Sequence, residues 1–237
     1  MFGRVGIGEQ TYLTFASGGS FSQYSHEFQT ITEAGEDTIC LSRDKNIAVN
    51  KEVLTDEVLA DLGLNRDDLE EKTSVEVGNI FSLGTKFSEP LGLSFVDESG
   101  DKQNVIMGSY GIGPGRLMGT IVEVLSDVKG IVWPTEVAPF QVHLLALNID
   151  NEEVRRESDE LYESLTRKGI EVLYDDREAR PGEKFADADL LGLPVRIVLS
   201  EKTLASGHFE VKERQGGKEL ALAEAELFDY LGRLARK

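Results

Sequence analysis

Hydrophobic positions change their period several times along this chain of 237 residues. Between residues 11 and 41 apolar and polar side chains alternate, in Thr11-Tyr12-Leu13-Thr14-Phe15, Glu27-Phe28-Gln29-Thr30-Ile31 and Thr38-Ile39-Cys40-Leu41, with a turn at Gly18-Gly19. A period of two predicts antiparallel strands with one buried face. From Lys51 to Leu62 the period lengthens to that of a helix, which Gly63 stops, and residues 65–72 follow as a solvated loop or short helix. Strands return at Val75–Leu83, Leu91–Val96 and Asn104–Met107, with a turn through Asp97–Asp101. A helix from Arg116 to about Lys129 then sets Leu117, Ile121, Val124 and Leu125 on one face, and Gly130 ends it.

Trp133-Pro134 and Ala138-Pro139 mark a linker, which divides the chain into domains 1–133 and 134–237. Beyond it the pattern alternates: strand 141–147, helix 152–168 with Val154, Leu161 and Leu165 inward, strand 170–174, helix 184–191, strands 195–199 and 209–212, and a final helix 219–236. The order β-α-β-α-β-β-α predicts a mixed sheet with helices packed on it. The expected fold class is therefore α+β followed by α/β.

Between the last strand and the last helix of the first domain lies Gly108-Ser109-Tyr110-Gly111-Ile112-Gly113-Pro114-Gly115-Arg116. It reads as a tight turn whose glycines allow positive φ and leave no Cβ against a flat ring or a phosphate. Pro114 suits a helix start, and Arg116 in the first turn can hold an anion with a forked pair of bonds. A plain strand–helix connection is the alternative. The dinucleotide fingerprint does not fit, because Arg116 stands where its last glycine belongs and no strand ending in a ribose-binding acid follows.

Composition narrows the function classes. No apolar run is long enough to span a bilayer, and no basic segment followed by an apolar core opens the chain, so the expected location is the cytoplasm without membrane contact. Cys40 is the only cysteine, which excludes an internal disulfide and a Cys-based zinc cage, and His26, His143 and His208 lack metal-ligand spacing. The net charge of −18 works against binding a polyanion. Residues 1–137 carry 10 basic against 22 acidic side chains and residues 138–237 carry 15 against 21, so any RNA contact falls to local basic clusters.

Several long segments, in order, carry a family resemblance: Ser25-His26-Glu27-Phe28, Ala48-Val49-Asn50-Lys51-Glu52, residues 75–88 (VEVGNIFSLGTKFS), the glycine-rich stretch with Arg116, and Trp133-Pro134. Together they resemble the C-terminal half of bacterial-type prolyl-tRNA synthetases, and the glycine-rich stretch resembles motif 3 of class II synthetases. The resemblance implies part of an antiparallel-sheet catalytic domain followed by an anticodon-binding domain. It also implies ATP with Mg²⁺, proline and tRNA-Pro as partners, and a homodimer in the complete enzyme. Arg116 would contact the triphosphate, Gly108, Gly111 and Gly113 would underlie adenine, and His26, Glu27, Asn79, Phe81 and Ser109 would lie near the amino-acid pocket. Better-known members have His at the place of Asn79 and Cys at that of Ser109.

The same resemblance implies that the segments supplying motifs 1 and 2 are missing, so that the chain is expected to be inactive until they are provided. The stretch 42–74 is too short to contain the editing domain inserted there in many bacterial members. Adenylate formation needs positioning and charge stabilisation rather than a nucleophile. His26 could be a general base or simply hydrogen-bond at a strand corner. In the second domain Arg177, Arg180 and Lys184 beside Phe185 offer cations and a ring for unstacked bases. Pairing with Asp175, Asp176 and Asp187, with Phe185 in the core, is the competing arrangement. The functional readings are a proline–tRNA ligase portion, a non-catalytic synthetase-derived tRNA-binding module and, more weakly, a nucleotide-dependent oxidoreductase.

Overall fold

In the computed structural model, which describes residues 1–234, the opening alternation becomes strands β1 (Thr11–Ser17), β2 (Tyr24–Ile31) and β3 (Asp37–Ser42), joined by β4 (Ile47–Asn50). Helix α1 (Asp56–Leu62) is capped by Thr55, whose hydroxyl accepts from the Val58 amide, and ends at Gly63 in the left-handed region. It buries Val58 and Leu59 against Val49 and Leu64, with Phe15 and Tyr24 alongside. A single 3₁₀ turn at Arg66–Asp68 leads into β5 (Glu70–Gly84), followed by the small hairpin of β6 (Ser94–Val96) and β7 (Lys102–Asn104), then β8 (Met107–Ile112) and α2 (Pro114–Leu125).

Strand β5 is the spine of this first unit, Met1–Val124. Its start pairs with β3, its middle with β2 and its end with β8, all antiparallel. Because β2 also pairs with β1, and β1 lies parallel to β4 beside β3, the strands β1, β4, β3, β5 and β2 close into a ring from which β8 extends.

The glycine-rich stretch differs from its expected form. Gly108 to Ile112 is strand, not turn, and Gly111, Gly113 and Gly115 do not take positive φ. The pairs Phe81↔Ser109, Asn79↔Gly111 and Gly78↔Ile112 extend the ladder through residues whose local preference is a turn. Tertiary pairing overrides that preference. The use of Gly111 is steric, since a Cβ there would lie 2.8 Å from Asn79 Oδ1. The helix starts two residues earlier than expected and stops at Leu125, because Asp127 accepts from the Lys129 and Gly130 amides in a side-chain-capped turn. Leu117, Thr120 and Ile121 form its buried face.

The second unit begins at Leu125 rather than after Trp133. The segment 125–133, placed with the first domain by its sequence, is bonded into the second. The Ile131 amide donates to Leu190 O, the Trp133 amide to Gly192 O, and Asp127 takes two bonds from Arg214. Gly192 makes this approach possible: its φ is +67°, and a Cβ would fall 1.7 Å from Ile131 O. The unit runs β9 (Val142–Ala146), α3 (Glu152–Arg167), β10 (Val172–Asp175), α4 (Pro181–Leu191), β11 (Val195–Leu199), α5 (Glu201–Ser206), β12 (Phe209–Glu213), β13 (Glu219–Leu222) and α6 (Glu224–Leu234). The short α5 was not expected. The expected final helix 219–236 divides instead, because Glu219–Leu222 pairs with β12; its end at Arg236 lies outside the described residues.

The sheet order is β10-β9-β11-β12-β13, parallel for the first three strands and antiparallel thereafter. On one face Val142, Leu144, Val195, Ile197 and Val211 form the core with Val154, Leu161 and Leu165 of α3 and Leu227, Tyr230 and Leu231 of α6. On the other, cross-strand pairing lines up Leu173, His143, Arg196, Lys212 and Glu219 in one row. One face is thus oily and the other carries ionisable groups, with α4 against it.

Candidate functional site

In the first unit, cross-strand pairing sorts the expected residues by face. Glu27 faces Asn79, which faces Gly111, and two residues along the same side Phe81 faces Ser109. His26 pairs with Ile80 on the opposite side, where its ring meets Phe15 edge-on at 5.6 Å. The structure therefore brings Glu27, Asn79, Phe81 and Ser109 to one surface with Gly111 and separates His26 from them, since adjacent strand residues point to opposite faces.

Arg116 leaves the first turn of α2 and reaches back as its spacing suggests, but its partner is a residue the sequence did not single out. Nη1 donates to the Glu76 carbonyl at 3.0 Å and to the Glu76 carboxylate at 3.2 Å. The other carboxylate oxygen of Glu76 accepts from Asn79 Nδ2 at 3.0 Å. Glu76 thus fixes the cation and the amide together. Its only trace in the sequence is its place in the alternation of β5.

Beneath lies a buried polar cluster. Gln29, fully buried, donates through Nε2 to both Glu27 and Asp37 and accepts from Ser74 Oγ at 3.0 Å. Burial pushes the Glu27 carboxyl up; the bond from Gln29 opposes this and the nearby charge of Glu76 adds to it. To one side Phe81 packs on Phe21 at 5.4 Å, with Lys86 over the Phe21 ring at 5.5 Å. Among the described residues no group of three or more His, Cys, Asp or Glu could hold a metal ion.

In the second unit the three expected RNA-facing cations have different situations. Lys184 is 1% exposed and belongs to the interior. Its ammonium donates to Ala146 O at 2.8 Å and Asp175 O at 3.0 Å, with the Asp175 carboxylate at 3.6 Å. A buried ammonium that donates to two carbonyls with a carboxylate close by is a structural latch, which removes Lys184 from the RNA-facing set. Arg177 stays at the surface but is clamped by Asp175 Oδ1 and Oδ2 at 2.9 and 2.8 Å and by Asp187 at 2.7 Å. Burial raises the Asp175 carboxyl, yet the Arg177 bonds and the Lys184 charge outweigh it and hold it below the usual range. Arg180 is exposed at the N-cap of α4 with no side-chain capping bond. Phe185 is half-buried, not core, and the Arg196 guanidinium lies over its ring at 4.7 Å.

Sequence reasoning missed the ionisable row itself. Between the C-terminal end of α4, the segment 127–130 and the β12–β13 turn is a cavity of about 290 Å³ lined by Asp127, Lys129, His143, Asp189, Arg196, Lys212 and Arg214. His143 is 3% exposed, and burial lowers its imidazole to about 4, with Asp175 opposing and Arg196 adding to the shift. Only the folded structure could reveal this grouping, because its members come from five separate stretches of chain.

Comparison with known proteins agrees with this architecture. Residues 141–234 match the family described as "Anticodon binding domain". The proline–tRNA ligase of Geobacillus sp. (strain WCH70) is 46% identical over 163 residues, covering 69% of this chain and 29% of that protein. That of Persephonella marina is 46% identical over 166 residues, covering 70% and 29%. The chain spans under a third of the length of these curated relatives. Among solved structures, the prolyl-tRNA synthetase of Cryptosporidium parvum, complexed with halofuginone and AMPPNP, superposes with a TM-score of 0.67 at 20% identity, over 95% of this chain and 40% of that one. At that identity the likeness is one of fold.

Two consequences are measurable by urea unfolding. Lys184→Ala leaves the Asp175 carboxylate without its buried partner and should cost about 3 kcal/mol, whereas Arg180→Ala should stay within about 0.5 kcal/mol. A folded-state value for His143 below its unfolded one means the unfolded chain binds the extra proton. Stability from this group is therefore complete above about pH 6.5 and falls by roughly 3 kcal/mol as the pH drops to about 4. His143→Gln should flatten that part of the acid limb.

Proposed function

We infer that this chain, a relative of the proline–tRNA ligases whose residues 141–234 belong to the anticodon binding domain family, serves ATP-dependent attachment of proline to tRNA-Pro. The observation that carries the reading is the surface shared by Glu27, Asn79, Phe81, Ser109 and Gly111, with Arg116 tied to it through Glu76. In this reading ATP arrives with Mg²⁺ at the junction of β8 and α2. The side-chain-free Gly108, Gly111 and Gly113 accept the flat adenine, and Arg116 stabilises charge on the triphosphate as the proline carboxylate attacks the α-phosphorus and pyrophosphate leaves. Mg²⁺ supplies further charge neutralisation on the phosphates. Glu27 and Asn79 orient proline, and Phe81 shields it from water.

The second unit then holds the anticodon arm, with Arg177 and Arg180 at the start of α4 as RNA contacts. Arg177 brings geometry more than net charge, since Asp175 and Asp187 balance it. Arg180 brings an exposed cation at a helix start. The complete enzyme is assigned as a cytoplasmic homodimer.

The test joins this chain to the part of a proline–tRNA ligase that it does not cover and follows proline-dependent exchange of pyrophosphate into ATP. Exchange is expected, and Arg116→Ala should lower kcat/KM for ATP by about 100-fold. Unchanged kinetics in that variant would remove the β8–α2 junction from the activation site. In the isolated chain, replacing Arg177 and Arg180 together by Ala should weaken tRNA binding and reduce its salt slope by about 1 to 2. Tight tRNA binding without any exchange in the joined protein would instead leave a non-catalytic RNA-binding module.

A further inference from the structure

We propose that Gln29 is a positioning residue for proline activation: it holds the Glu27 carboxylate in place to receive the secondary ammonium of proline. The inference rests on the ligase reading above and adds to it a residue that acts from beneath the pocket. Strand register puts Gln29 where it can do this. The pairing of β2 with β5 slips between Phe28 and Gln29: Phe28 faces Gly78, Gln29 faces Glu76, and Val77 is left over as a bulge. A bulge changes which side chains share a face, and bulges concentrate beside functional sites. Here it sets Gln29 across from Glu76 while Glu27 stays across from Asn79.

Every polar atom of the Gln29 side chain is used. Nε2 donates to Glu27 at 3.0 Å and to Asp37 of β3 at 2.8 Å, and Oε1 accepts from Ser74 Oγ of β5 at 3.0 Å. Gln29 and Ser74 are both 0% exposed, so these bonds lie out of reach of solvent. A primary amide has two N–H donors, and here they are divided between two carboxylates. A hydroxyl has only one hydrogen to give, and an apolar side chain none. Without the shared donor two anions would confront each other in a desolvated space, which favours uptake of a proton by one of them.

Burial raises the Glu27 carboxyl most. The bond from Gln29 is the largest influence that lowers it, ahead of Asn50 of β4, while the charges of Glu76 and Asp37 push it up again. The charged groups facing Glu27 are therefore Asp37 from β3 and Glu76 from β5, the latter paired with Arg116 of α2. Uncharged Thr14 of β1 and Asn79 of β5 stand opposite it, and Tyr12 of β1 stands opposite Gln29. His26, its neighbour along β2, points to the other side. The proline nitrogen carries a positive charge and two N–H groups, so it calls for an anionic acceptor. Glu27 is one only while it is ionised, and Asn79 brings no charge.

The test follows pyrophosphate exchange by the joined protein as a function of pH. As the pH falls, kcat/KM for proline should drop when Glu27 takes up a proton. Gln29→Leu removes the donor, so Glu27 protonates at higher pH. This acid limb should therefore move upward, with KM for proline raised about tenfold and KM for ATP unchanged. Asp37→Asn removes a like charge and keeps an oxygen for Gln29, so the limb should move the opposite way. A residue that only fills space would not give shifts of opposite sign. Circular dichroism confirms that each variant is folded, and Asp37→Asn carries the test alone if Gln29→Leu is not. An acid limb that stays put in the folded variants, or a KM for ATP that rises as much as that for proline, overturns the inference while the ligase reading stands. Absence of proline-dependent exchange in the unsubstituted joined protein overturns that reading, and this inference with it.

Discussion

The second unit depends on one buried ammonium. Lys184 takes α4 down onto the sheet by bonding the last carbonyls of β9 and β10, at Ala146 and Asp175. Desolvating that charge is expensive, and only a full set of oxygens offsets it. The same contact brings in the Asp175 carboxylate, which orients Arg177, which in turn reaches Asp187 on α4. A single interior charge therefore determines how the surface at the start of α4 is presented. It also shows why a cationic residue beside an aromatic one is an ambiguous sign of RNA binding: the more strongly a lysine is used inside, the less it can offer outside.

At the other end of α4 the arrangement is reversed. There Asp127 and Asp189 are spent on fixing Arg214 and Arg196 in place, and the cations outnumber the acids. Segment 125–133 takes part in this, which is why it folds with the second unit although Trp133-Pro134 punctuates the sequence after it. Proline and tryptophan mark where the chain changes direction, whereas the unit boundary follows the bonds of Ile131, Trp133 and Asp127.

In the first unit the comparable constraint is the length of β5. Fifteen residues of continuous strand give three neighbours something to pair with. They also carry Glu76 and Asn79 to where Arg116 arrives from α2. Gly111 of β8 lies tight against Asn79, so the same absence of a side chain that suggested a turn is used to let these strands approach.

The sequence by itself determined the number and kind of most elements, through periodicity, and the two-part organisation. It also carried the identity of the residues on the β8–α2 junction, because those lie close together along the chain. Helices α1 and α3 were legible for the same reason, since their periodicity is local, although α1 begins at Asp56, after its Thr55 cap, and not at Lys51. Tertiary structure alone decided which residues share a face. The exclusion of His26 from the surface of Glu27 and Asn79, the role of Glu76, the burial of Lys184 and the row from His143 to Lys212 all depend on strand register. Register is fixed by pairings between segments far apart in sequence, and a shift of one residue turns every side chain over, so no local pattern could have supplied it.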